Sequence, residues 1–254
     1  GNKVENCTFT DVYYYPVYFY YQDSPVAIGN DISMRNTTAG YGIYCYYGRH
    51  MDFSSNLIKS ASTYGMYIVN SNTATQSATA RAMIANNMIS ASGTGDGLYL
   101  SGSNDIDVFH NSISAENDQA LWVSTTAIGY DIRNNIFVAS GAEPVDLDAA
   151  PGATEVIDYN VYYRSGGGNV ALVAAATYAD LASWQTADAT QNVNSLEGDP
   201  VFSGATNLHV QGGLANDVAV VIGAITEDID GDVRSVTTPD IGADEFSPAT
   251  CLVP

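Results

Sequence analysis

Short runs of alternating apolar and polar residues recur along the chain, each set against an asparagine held in one frame. The segments "MDFSSNLI", "AMIANNMI", "IDVFHNSI", "YDIRNNIF" and "EVIDYNVY" align on Asn56, Asn87, Asn111, Asn135 and Asn160, at spacings of 31, 24, 24 and 25 residues. Three positions before each asparagine stands an apolar residue (Phe53, Ile84, Val108, Ile132, Ile157), and two positions after stands another (Ile58, Ile89, Ile113, Phe137, Tyr162). Upstream, "NKVENCTF" and "DISMRNTT" extend the frame with Cys7 and Thr37 in the asparagine position. A further strand follows in each repeat: "PVYFY", "GIYCY", "GMYIV", "GLYLS", "ALWVS" and "PVDLD". Period-two alternation belongs to strands, and a repeat near 24 residues without helical periodicity predicts a parallel β-solenoid of about seven coils. An antiparallel sandwich would need hairpin turns and would not hold the asparagine in frame.

The aligned asparagines are expected to be structural. Stacked at an inward turn, their amides bond one another and the backbone, satisfying polar groups that a buried corner leaves unpaired. The long interval between Asn56 and Asn87 contains "NSNTATQSATAR" (70–81), which predicts a loop projecting from one corner. One helix is expected, "TYADLASWQTA" (177–187), opening with a capping-box-like Thr177 and Asp180 and spacing Tyr178, Leu181 and Trp184 at intervals of three. It would cover the open end of the solenoid, whose strand edge is otherwise unpaired. Coils are therefore placed in residues 1–165 and a capping module in 166–254. "RSGGG" (164–168) lacks the lysine and following helix of a phosphate loop and is read as a turn.

Alternation along the recurring later strand separates two inward rows from one outward row. Val17, Ile43, Met66, Leu98, Leu121 and Val145 face inward, as do Phe19, Cys45, Ile68, Leu100, Val123 and Leu147. Between them run Tyr18, Tyr44, Tyr67, Tyr99 and Trp122, ending at Asp146, with Tyr20 and Tyr46 widening the row at its start. With strands about 4.8 Å apart, five rings make a strip about 20 Å long. Three roles fit it: cross-strand pairs that stabilise the sheet, a contact surface for a protein partner or a second copy, and a platform of flat ring faces for glycans.

Composition narrows the partners. Asp and Glu number 28 against 8 Lys and Arg, a net charge of −20. Nucleic acid and anionic membrane surfaces need clustered cations, which are missing. No apolar run is long enough for a membrane span. "GNKVENCTF" has neither an initiator methionine nor a signal peptide and reads as a processed chain or fragment. Cys7, Cys45 and Cys251 leave room for one disulfide but make no framework.

Two further groups carry candidate chemistry. "EDIDGDVR" places Asp228, Asp230 and Asp232 at alternate positions around Gly231, which resembles half of a calcium loop without its distal glutamate. The alternative is an acidic turn whose Arg234 pairs with Asp244 or Glu245. On the earlier strand, Asp107 and Asp131 share an outward position in neighbouring coils, with His110 and Arg133 nearby. Paired carboxylates there would suit a glycoside hydrolase, and an arginine or histidine near acidic metal ligands would suit a polysaccharide lyase. Neighbouring strands, however, set them closer than the inverting separation of about 6.5–9.5 Å. The strongly negative chain also repels polyanions, which favours a solvated acidic face.

Coils ending in "NN-x-I", followed by "YADLASWQ", "NSLEGDPVF", "NLHVQ" and "DIDGDVRSVTTPDIGADEF", resemble the right-handed parallel β-helix repeat proteins secreted by bacteria. The closing motif resembles a C-terminal module of the choice-of-anchor type. Where relatives carry "SPAID-G", this chain has "GLANDVAVVIG" (213–223). The resemblance implies secretion and display at the bacterial surface. It implies no single activity, since lyases, hydrolases, tailspikes and adhesins share the architecture. Sequence reading therefore favours a surface-displayed binding or structural protein, adhesin-like or assembly-forming, with a polysaccharide-degrading enzyme as the alternative.

Overall fold

The computed structural model describes residues 1–35, 39–73 and 80–247. Each coil contributes one strand to each of three sheets, because period-two runs of three to six residues alternate with sharp corners. The first sheet has seven strands, from Lys3–Glu5 to Val156–Asp158. The second has eight, from Thr8–Val12 to Leu196–Glu197, and the third has eight, from Val17–Tyr20 to Ala176–Tyr178. Coil-to-coil pairing is parallel throughout. The last pair of the third sheet, Ala171–Val173 with Ala176–Tyr178, is antiparallel and ends the rise.

The corner between the first and second sheets explains the asparagine frame. The residue before each asparagine adopts positive φ: Ser55, Asn86, His110, Asn134 and Tyr159 lie at 54°, 54°, 52°, 61° and 54°. One left-handed residue turns the chain sharply, and asparagine tolerates that conformation better than most side chains. The following asparagine then points inward. Asn111 shows the pattern: its Oδ1 accepts from the backbone N–H and Nδ2 of Asn87, and its own N–H and Nδ2 donate to Asn135 Oδ1 at 2.9 Å. Its Nδ2 also reaches the carbonyls of Ile84 and Phe109, so the amide is fully used.

The second coil corrects the sequence frame. Asn30, not Thr37, occupies the ladder position, donating to Asn56 Oδ1 while its Oδ1 accepts from Cys7 N–H. Thr37 lies outside the described residues, in the interval after the second-sheet strand Asp31–Met34. "DISMRNTT" begins with a true strand, but one that belongs a corner later. Of the projecting loop 70–81, residues 74–79 lie outside the described residues.

The inward rows form one continuous core, from Val17 and Phe19 to the far end, where Leu181 and Trp184 join it. Helix α1 spans Leu181–Ala187, and Trp184 packs 5.5 Å from Tyr162 and 6.1 Å from Tyr178. The helix begins later than the sequence suggests. Thr177 belongs to the last strand, and the cap is Asp180, whose side chain accepts from Ser183 N–H while Ser183 Oγ lies 3.4 Å from Asp180 N–H.

Beyond the helix the chain does more than close the end: it folds back over the outward face of the second sheet. Ile136, Val138 and Val161 pack against Val210, Ala215, Ala219 and Ile241, and Met88 packs against Leu208 and Ala243. Gly242, at φ +103°, comes so close to Ile136 and Ser112 that a Cβ there would collide. Arg234 is buried and spans the junction, donating to Asn86 Oδ1 at 3.0 Å, to the Gly242 carbonyl at 2.9 Å and to Glu245 at 3.2 Å. Cys7 is free and exposed, and Cys45 is free and buried, its thiol pushed up to about 12 by desolvation. Cys251 lies outside the described residues.

Candidate binding face

The third sheet is the face that the C-terminal segment leaves open. Register places Tyr18, Tyr44, Tyr67, Tyr99, Trp122 and Asp146 side by side on successive strands. Neighbouring rings lie 4.8, 5.2, 5.1 and 4.1 Å apart between centroids, and the interplanar angles fall from 26° to 5° along the row. Tyr20 stacks on Tyr46 at 5.7 Å, and Tyr21 on Tyr47 at 4.6 Å. Tyr18 and Tyr20 are 48% and 50% exposed, whereas Tyr44, Tyr67, Tyr99 and Trp122 are half-buried by their neighbours.

This geometry changes what the strip can offer. A stacked ring gives its faces to the rings before and after it, so flat platforms for sugars are not what the row presents. It presents ring edges and a file of phenol hydroxyls. Desolvation, and then the neighbouring phenols, raise the pKa values of Tyr18, Tyr44 and Tyr67, Tyr44 up to about 12, so these three hydroxyls stay neutral and can both donate and accept.

A second aromatic column, missed in the sequence, flanks the first. Tyr41 and Tyr64 pair in register, with Tyr15 5.0 Å from Tyr41 and Tyr64 4.5 Å from Tyr67. The signal was present as "YGIY" and "YGMY", followed by "DGLY" one coil later. The glycine is needed because a Cβ on Gly65 would collide with Ile89 and the Gly97 carbonyl. In "DGLY" the tyrosine position becomes Asp96, which pairs in register with Tyr64.

Past that coil the face turns acidic. Asp96 is 2% exposed, and its Oδ1 has no hydrogen-bond partner among the described residues. Burial, with the charges of Asp118 and Asp146 added, raises its pKa to about 8. Asp146 is raised to about 6, first by desolvation and then by Asp148, Glu143 and Asp118. Asp148 accepts from Trp122 Nε1 at 3.0 Å, which fixes the indole.

The alternative catalytic set does not assemble. Asp107 and Asp131 are adjacent in register, but Arg81 pairs with Asp107, and Arg133 grips Asp131 with two bonds of 2.7 and 2.6 Å. His110 does not share their face. It is a left-handed corner residue, fully buried and 2.9 Å from Asn134 Nδ2, and desolvation holds its imidazole well below the usual histidine range. Both carboxylates are thus engaged by arginines, and the histidine lies on the buried side of the corner, away from them.

The calcium-like loop is arranged around its first aspartate. Asp228 points inward, its Oδ1 accepting from the N–H groups of Asp230 and Asp232 and its Oδ2 from Glu245 N–H. It pins the turn, and among the described residues these three aspartates are not a group whose ligand atoms all converge. Arg234 pairs with Glu245, as the acidic-turn reading expected. The group that does converge among the described residues is His209, Asp230 and Asp244, with ligand atoms within 4.8 Å of one another. One imidazole and two carboxylates suit a zinc-type ion better than calcium, which takes about six to eight oxygens. A separate groove of about 620 Å³ lies on the second-sheet side, lined by Ser90, Ser114, Glu116, Ser140 and Phe202. No helix among the described residues is long and apolar enough to cross a membrane.

Comparison with curated proteins finds no match. The family model described as "Right handed beta helix region" matches residues 1–137, more than half the chain. Together with the three-sheet parallel coil, that match makes the chain a member of the right-handed β-helix family.

Proposed function

We propose that this chain is a secreted, surface-displayed binding protein that holds an extended glycan along the outward face of its third sheet. The observation that carries the proposal is the unbroken row from Tyr18 to Trp122, with a phenol hydroxyl on each rung from Tyr18 to Tyr99. A rise of about 4.8 Å per strand is comparable with one sugar unit of an extended chain. Phenol hydroxyls and ring edges match a ligand of alternating hydroxyl and C–H surface. The strands of this sheet contain no lysine or arginine, which suits a ligand that is not a polyanion.

Replacing Tyr44, Tyr67 and Tyr99 together by phenylalanine keeps the stack and removes three hydroxyls. Each neutral hydrogen bond contributes about 0.5–1.5 kcal/mol, so glycan-array or calorimetric affinity should fall about tenfold or more. The triple alanine variant should lose binding altogether. Unchanged affinity in both variants sinks the proposal. Light scattering on the same samples separates the competing occupant: if the alanine variant instead dissolves a dimer or higher assembly, the face serves self-association.

A further inference from the structure

The acidic end of the strip goes further and bears on which glycan is held, given the binding role just proposed. Trp122 stacks on Tyr99 at 4.1 Å and 5°, and no ring covers its other face among the described residues. The next position in register on that side is Asp146. Asp148 holds the indole through Nε1, and Asp118 and Glu143 lie close enough for their charges to act on Asp146. Next to them Asp96 keeps a buried carboxylate oxygen with no partner. None of these five acidic residues forms an ion pair with a lysine or arginine among the described residues.

An indole face with no ring over it, beside carboxylates that have no cation, is a site for one. Tryptophan is the strongest cation–π partner among the side chains, and an ammonium offers charged N–H donors, which make the stronger hydrogen bonds to carboxylates. The remaining rungs, from Tyr99 back to Tyr18, offer hydroxyls and no charge. A ligand that satisfies both halves is a sugar chain bearing amines. We propose that the Trp122–Asp146 end is a subsite for a primary ammonium group, and that the ligand class is a hexosamine polymer with free amino groups. Carboxylates crowded at one end, which repel one another in the free protein, then face a positive charge when the ligand is bound.

The test compares two probes near neutral pH: β-1,4-linked glucosamine hexamer, which carries free amines, and its fully N-acetylated counterpart. Calorimetry should show the free-amine hexamer binding about tenfold tighter or more. That preference should shrink as salt is raised, because partly exposed charges are screened. In the double variant Asp146→Asn and Asp148→Asn, the amide oxygen at position 148 can still accept from the indole, and the ratio of the two affinities should fall toward one. Equal binding of the two hexamers overturns the amine subsite, as does a preference that survives both salt and the double variant. Binding of neither hexamer overturns it too. The tyrosine variants are scored separately on a neutral glucose hexamer as well, so the strip and the subsite fail independently.

Discussion

Asp96 shows how one substitution within a repeat changes the chemistry of a face. Two coils earlier its position holds Tyr41, and one coil earlier Tyr64, both packed among rings. A carboxylate there inherits the burial with one oxygen left unbonded, and desolvation raises its pKa to about 8. The unfolded chain loses that proton near the ordinary aspartate value. Between about pH 4 and pH 8 the folded state therefore binds more protons than the unfolded one, and stability declines as pH rises. Asp96→Asn removes the ionisation while keeping the shape. It should stabilise the protein by about 1–3 kcal/mol at about pH 8 and by little at about pH 4, given roughly 1.4 kcal/mol per pKa unit and allowance for solvent access. Denaturant melts at the two pH values measure this, and a variant no more stable at the higher pH contradicts the account. The outward tyrosine row was legible in the sequence because alternation alone assigns its face. Asp96 was not, because its isolation depends on rings from neighbouring coils.

At the scale of the element, the corner between the first and second sheets sets the register of the whole coil. A left-handed residue followed by an inward asparagine recurs at every coil from Ser55–Asn56 onward. Each amide links the coil before to the coil after. Asn111→Ala would strip Asn87 of an acceptor shared by two donors and leave the Ile84 carbonyl without its partner. Buried unsatisfied groups cost about 1–3 kcal/mol each, so a loss of about 3 kcal/mol or more in urea unfolding is expected; a loss under about 1 kcal/mol would show that the ladder is ornamental. Sequence spacing found five of these asparagines. It misassigned the second coil because a period-two pattern fits two frames equally well: Met34, three residues before Thr37, is a core residue too, but in the second sheet. The helix start shifted for a similar reason, since Thr177 is used by a strand pairing that local sequence does not reveal.

For the whole molecule, the decisive event is the return of the C-terminal segment across the second sheet. Arg234 is the tie. It is 3% exposed and bonds both to Asn86 in a coil corner and to Gly242 in the returning chain. Arg234→Ala leaves Glu245 without its ion pair and should cost about 3–5 kcal/mol, as breaking a buried pair does. Limited proteolysis should then cut within 200–247 before the coils are attacked, whereas an unaltered digestion pattern would show that the segment is held elsewhere. The same return decides which face is free. It covers the second sheet, buries His110, and does not cover the outward rings of the third sheet. By itself the sequence determined the parallel coil, the inward rows, the ladder and the outward ring row, because each follows from spacing and from the two faces of a strand. Only the tertiary structure decided that the rings spend their faces on one another, that His110 is buried away from Asp107 and Asp131, and that Asp96, Asp118, Asp146 and Asp148 gather at the Trp122 end of the strip. Those outcomes depend on which side chains from different coils meet and on what the last third of the chain covers, and neither is written in the local pattern of any one coil.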